Sequence, residues 1–277
     1  LLPKPTGGDR PIGIFPSVIR VWTKWLQPEY VAPWKNANRR DFFFGEEEKS
    51  CEACVWIQAT TAEYARAVSK DFASALYDLE KAYENVRHFL LAREAHELGF
   101  PLRLLRLACL FYRMPRCMIV KGVATAVVST MQTIVAGCSF ATDLLRLHLM
   151  RAIDSVLKVH TSIRAFVVVD DITLSAVGDK GRVQNALVDA STDLVRSLEQ
   201  ECLLTVSKTK NATVASSLQL AKRVASCHRA LKGTATTSVR NLGAGFSAGY
   251  VRSTKVRKKR LRATVNRSAR IKMLRRA

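Results

Sequence analysis

Asp170-Asp171, flanked by Ala165-Phe166-Val167-Val168-Val169 and Ile172-Thr173-Leu174, restricts the fold more than any other part of the chain. An apolar run of this length, rich in β-branched residues, predicts a buried strand. An acidic pair at its centre fits the turn of a hairpin that continues as a second strand. Uncompensated buried charge is costly, so the pair needs a bound metal, a basic partner or an exposed turn. About ninety residues earlier, Ala75-Leu76-Tyr77-Asp78-Leu79-Glu80 ends a second apolar strand on a carboxylate. If the two strands are sheet neighbours, Asp78 converges with Asp170 and Asp171, and hard oxygen donors of that kind suit Mg²⁺. Taken singly, each motif has a plainer reading, Asp78 as a helix N-cap and the pair as an ordinary β-turn.

The 277 residues suffice for one large domain or two small ones. With 44 Lys+Arg against 23 Asp+Glu the net charge is +21, which implies an anionic partner, nucleic acid before membrane. No acidic residue follows Glu201, and about twenty basic residues do. Seven scattered cysteines suggest an intracellular chain with reduced thiols. Cys51 and Cys54 form one C-x-x-C without a second pair at zinc spacing, and buried helix cysteines are the expectation there. No apolar run is long enough to span a membrane and no signal peptide is evident. Because Leu1 runs directly into a motif, the chain reads as a fragment.

Pro3, Pro5, Gly7-Gly8 and Pro11 predict two short strands around a glycine turn, followed by an apolar-spaced helix over 17–25. Residues 28–44 read as irregular, basic and aromatic. Further helices are expected at about 46–68, 86–98, 101–113, 140–156, 183–201 and 218–231. A hairpin is expected about Lys121-Gly122, the glycines at 243, 245 and 249 mark a turn-rich β segment, and the basic tail from Ser253 has helical potential. Antiparallel hairpins mixed with helices make the fold class α+β.

The ordered motifs resemble those of reverse transcriptases. Leu2-Pro3-Lys4-Pro5-Thr6-Gly7-Gly8-Asp9-Arg10-Pro11-Ile12-Gly13-Ile14 resembles the family's fingers segment. Asp78-Leu79-Glu80-Lys81-Ala82-Tyr83 is similar to its first palm motif, and Val168-Val169-Asp170-Asp171 to its aromatic-x-Asp-Asp motif. Ala136-Gly137-Cys138-Ser139 falls where the family has Gln-Gly-x-Pro, at the start of a helix. Leu203 to Lys210 is similar to the motif ending in a lysine near the triphosphate, with Lys210 preferred to Lys208 on spacing. Arg240-Asn241-Leu242-Gly243 resembles the primer-grip hairpin.

The resemblance spans nearly the whole chain, with the Pro-Lys-Pro…Arg-Pro-Ile-Gly and Leu-Gly pieces closest to non-LTR retroelement and group II intron enzymes. It implies a right-hand polymerase: fingers at 1–70, palm at 71–235 with part of the fingers inserted, a primer-grip-like β segment at 236–252, and the basic start of a truncated thumb at 253–277. Asp78, Asp170, Asp171 and the Leu79 backbone oxygen would hold two Mg²⁺ ions, with Mn²⁺ as a substitute. Lys4, Arg10, Gly137 and Lys210 would meet the nucleotide, Tyr83 would exclude a 2′-hydroxyl, and Leu242 and Gly243 would meet the primer. The implied partners are an RNA template, a DNA primer and dNTPs, with nuclear localisation if the source is eukaryotic.

Val168, Ala136, Thr142 and Glu84 depart from the family pattern without removing a metal ligand. A decayed binding protein, an RNA-copying RNA polymerase and an unrelated basic module are the competing readings. Lys255 to Arg262 fits a duplex backbone or a nuclear-localisation cluster equally, and the five histidines form no catalytic pattern.

Overall fold

Phe72, Ala73, Ser74 and Ala75 are consecutive buried residues, too continuous a run for a strand with one wet face. In the computed structural model they belong to the strand Asp71–Glu80. The structure describes residues 2–3, 9–10, 13–46, 48–120, 123–231, 233–250 and 253–274. It divides into two compact units: Leu1–Asp41 with Leu79–Lys158 and Leu194–Val206, and Phe42–Asp78 with Val159–Asp193 and Ser207–Ala277. No helix among the described residues is long and apolar enough to cross a membrane.

In the second unit the sheet order is Thr234–Thr236, Ala212–Ala215, Asp71–Glu80, Asp171–Gly178, Arg164–Val168 and Phe43–Phe44. The central pairings are antiparallel and the two outermost are parallel. The α+β expectation therefore describes the observed architecture, a mostly antiparallel sheet packed on helices.

The helix Cys51–Ala67 starts where the Ser50 hydroxyl accepts the Ala53 amide, several residues later than the periodicity suggests. Ahead of it Glu46 and Lys49 form an antiparallel bridge, and the Gly45 amide donates to the Lys49 carbonyl. Ala62 and Ala65 of that helix pack on Phe72, Val214, Phe246 and Ala248. Ser217 caps the helix Leu218–Cys227 in the same way. In the expected turn-rich β segment Ser238–Asn241 pairs with Ala244–Ser247 as a hairpin, and the basic tail forms the helix Lys255–Leu274.

The first unit is mainly helical, with Ser17–Leu26, His88–Glu97, Leu102–Arg113 and Ala141–Val159. Within 28–44, expected to be irregular, the chain instead forms a π-helical turn, Gln27–Val31, and a helix, Ala32–Ala37. These elements follow Ser17–Leu26 without a break, so Pro28 and Pro33 lie inside a continuous helical run whose hydrogen bonding switches to the wider π turn at Gln27–Val31. Leu2–Pro3 pairs with Asp9–Arg10, Ile119–Val120 with Val123–Ala124, and Leu79–Glu80 with Thr205–Val206. The glycine turn at 7–8 and Lys121-Gly122 lie outside the described residues.

Candidate functional site

Asp78 and Asp171 are directly opposed across the antiparallel pair. Opposed residues point to the same face with Cβ atoms about 5 Å apart, and like charges so placed repel. The pairing of Val168 with Asp171 leaves Val169-Asp170 as a two-residue hairpin connection, which carries the third carboxylate. Val169 has φ +59°, a value that glycine normally supplies in such turns and that is strained for a β-branched side chain. Its side chain packs on the cluster of Cys54, Phe166 and Val168, which helps to hold the turn.

Leu242 is held similarly. It and Gly243 link the 238–247 hairpin at φ +46° and +79°, and the Leu242 side chain packs on the same cluster. Two apolar residues in left-handed turns thus share one anchor, whose Val168 is paired with Asp171 and so lies on the same face as the carboxylates. Such strain is retained where the surroundings over-determine the geometry.

The segment Ser207–Asn211 is fastened to Asp78 on three sides. The Ser207 amide donates to the Asp78 carbonyl at 2.9 Å, the Asp78 amide to Asn211 Oδ1 at 3.0 Å, and Lys210 Nζ to Asp78 Oδ2 at 2.9 Å. Asn211, 1% exposed, also donates through Nδ2 to the Ser207 and Ala230 carbonyls. Sequence reasoning missed Asn211, because an Asn after two lysines carries no local signal.

Asp171 reaches solvent, yet the protein around its carboxylate raises its pKa to about 6. Burial is the main cause, the charges of Asp170 and Asp78 add to it, and Lys210 opposes it. Its unfolded pKa is near 4, so the folded state binds the extra proton between these values. Stability therefore falls as pH rises from about 4 to about 6.

A divalent cation would relieve that repulsion, and three carboxylates are the hard donors Mg²⁺ prefers. Among the described residues no three such side chains already surround one point. Asp78 Oδ2 is engaged by Lys210 Nζ. The donor chemistry of Asp78, Asp170 and Asp171 would suit such an ion.

The remaining expected site residues belong to the first unit. Leu79 pairs with Val206. Tyr83, half-buried in the short helix Ala82–Asn85, accepts the Ile134 amide through its carbonyl. Gly137 has φ +107° and precedes the helix that starts at Ala141; a Cβ there would stand 2.6 Å from the Gly13 carbonyl. The close approach that requires glycine is thus to the chain's own backbone. Arg10 lies in the short strand Asp9–Arg10, and Lys4 lies outside the described residues.

No protein-family model and no curated protein matches the sequence. Solved structures do match. Apo telomerase from Candida tropicalis, truncated from its C-terminal domain, superposes with a TM-score of 0.53 at 11% identity, over 82% of this chain and 46% of that one. Apo telomerase from the same species gives 0.54 at 7% identity, over 84% and 39%. The chain spans less than half the length of these neighbours. At such identities the likeness is one of fold alone.

Proposed function

We propose that this chain is the fingers and palm of an RNA-directed DNA polymerase, extending a primer 3′-hydroxyl with dNTPs on an RNA template. The observation that carries the reading is the pairing of Asp78 with Asp171 across adjacent strands, with Asp170 in the turn between Val168 and Asp171. Residues 1–70 would be fingers, 71–235 palm with inserted fingers elements, 236–252 the primer-grip segment and 253–277 the start of a thumb. The Lys-Pro and Leu-Gly motifs favour a non-LTR retroelement or group II intron type within this fold.

In this reading Asp78, Asp170 and Asp171 would hold two Mg²⁺ ions, and the chemistry these would supply is Lewis acidity. Asp171 would be available as a ligand in its ionised form, which prevails above about pH 6. Lys210 exchanges Asp78 for the triphosphate, which frees the carboxylate as the substrate arrives and couples nucleotide entry to site assembly. Arg10 and Lys4 add positive charge for the phosphates. Tyr83, five residues beyond Asp78, selects deoxyribose, and the hairpin turn at Leu242-Gly243 seats the primer end.

Primer extension on an RNA template with Mg²⁺, offering dNTPs or rNTPs, tests the reading. Extension with dNTPs that disappears in Asp170→Asn is expected. Extension that survives the substitution, or a preference for rNTPs, contradicts it. A chain that only holds nucleic acid is the second reading. The Lys210–Asp78 ion pair favours it, since it satisfies one carboxylate internally.

A further inference from the structure

The C-x-x-C motif has no part in the polymerase reading, yet it lies against the acidic hairpin. Cys51 is the first residue of the helix Cys51–Ala67 and is exposed; Cys54, one turn on, is 1% exposed. Cys54 packs with Phe166 and Val168, and Phe44, Val169 and Leu242 close over this cluster. Gln58 Nε2 donates to Cys54 Sγ at 3.2 Å, and Asn241 Nδ2 donates to Gln58 Oε1 at 3.0 Å. A buried polar chain therefore runs from the Cys54 thiol to the residue before the Leu242-Gly243 turn. Gly45, at φ +82°, fills the gap on the other side; a Cβ there would stand 3.7 Å from Cys51 Sγ and 3.5 Å from Val168 Cγ1.

We infer that Cys51 and Cys54 are a thiol–disulfide modification site whose closure loosens both hairpins that meet at Cys54. The oxidant is a low-molecular-weight disulfide such as oxidised glutathione. The Cys51 thiolate attacks one of its sulfurs, and one glutathione thiolate leaves. Cys54 then gives up its proton, attacks the Cys51 sulfur of the mixed disulfide and expels the second glutathione thiolate. Two protein thiols are oxidised and one external disulfide is reduced to two thiols. Burial raises the Cys54 pKa to about 11, with Cys51 and Asp171 adding to the shift, so the second step is the slow one.

Closure cannot leave the site as it is. Side chains three apart on a helix have Cβ atoms about 5–6 Å apart, and a disulfide needs about 3.5–4.5 Å. The first turn must tighten, and Cys54 Sγ must leave both Gln58 and the apolar cluster. Asn241 then loses the alignment of its acceptor, and Val168 and Val169 lose a packing partner. A strained, partly exposed disulfide of this kind is easily reduced, as a reversible modification requires.

The consequence for nucleotide transfer rests on the polymerase reading, but the disulfide and its effect on the hairpins do not. The test equilibrates the full chain and Cys51→Ser in glutathione buffers from fully reduced to fully oxidised, blocks free thiols, maps the peptides and follows backbone hydrogen exchange. The expected wild-type result is a Cys51–Cys54 disulfide, reversed by reductant. Amides at 166–171 and 241–244 should then exchange about fivefold faster, the factor carried by one lost buried hydrogen bond. The Cys51→Ser protein should show neither change. Cys54 remaining free in the most oxidised buffer overturns the inference, as does a disulfide that leaves exchange at both hairpins unchanged. Primer extension that fails in reduced and oxidised protein alike counts against the polymerase reading alone.

Discussion

Replacing Gln58 tests whether the 238–247 hairpin is held by a specific polar contact or by apolar packing alone. Gln58 is fully buried, Asn241 is 6% exposed, and their side-chain amides meet at 3.0 Å. Gln58→Leu removes the acceptor and strands the Asn241 donor. The lost hydrogen bond is worth ~1 kcal/mol and the stranded group ~1–3 kcal/mol, partly offset by the added apolar surface, for a net loss of about 2 kcal/mol. Asn241→Leu strands Gln58 Oε1 and costs about the same. The double variant leaves neither amide facing an absent partner, so it should lie within about 1 kcal/mol of wild type rather than ~4 below it. Urea denaturation of the four proteins, with unchanged m-values, gives the coupling energy directly. Losses that add to within ~0.5 kcal/mol would show that the contact contributes no coupling and would refute the reasoning.

Three further outcomes follow from the same geometry. His148 is buried with Nε2 on the Cys202 carbonyl and Nδ1 unpartnered, and burial lowers its pKa to about 4. The unfolded chain thus binds the extra proton between pH 6.5 and 4, and stability should fall by ~3 kcal/mol as pH drops through that window, a slope that His148→Gln removes in pH-dependent urea melts. Val169→Gly should relieve a turn strain of ~1–3 kcal/mol and lose comparable packing and chain entropy, leaving melting temperature nearly unchanged. Primer extension should nevertheless slow, because the Asp170 turn is no longer fixed. Lys210→Met removes the positive charge that opposes the Asp171 shift, so the acid limb of the extension pH profile should move to higher pH.

The hairpin at Asp170-Asp171, its strand neighbour bearing Asp78, the helical spans and the 238–247 hairpin were all legible, because each is announced by local apolar periodicity or turn chemistry. What stayed hidden depends on contacts distant in sequence. Asn211 on the Asp78 amide, Lys210 on its carboxylate, and the chain from Cys54 through Gln58 to Asn241 join segments more than a hundred residues apart. Val169 and Leu242 ran against local expectation, since turn preferences call for glycine where these side chains are instead held by the Cys54 cluster. Pro28 and Pro33 misled for the opposite reason: a continuous helical run accommodates them by switching to a π turn at Gln27–Val31.

The most direct measurement of the acidic edge is a Mn²⁺ titration followed by electron paramagnetic resonance on wild type, Asp78→Asn and Asp171→Asn, at pH 5 and pH 7.5. The account predicts binding to wild type that strengthens at the higher pH, as Asp171 gives up its proton, and that weakens at least about tenfold in either variant. Equal binding in all three proteins would contradict a cation site built from these carboxylates.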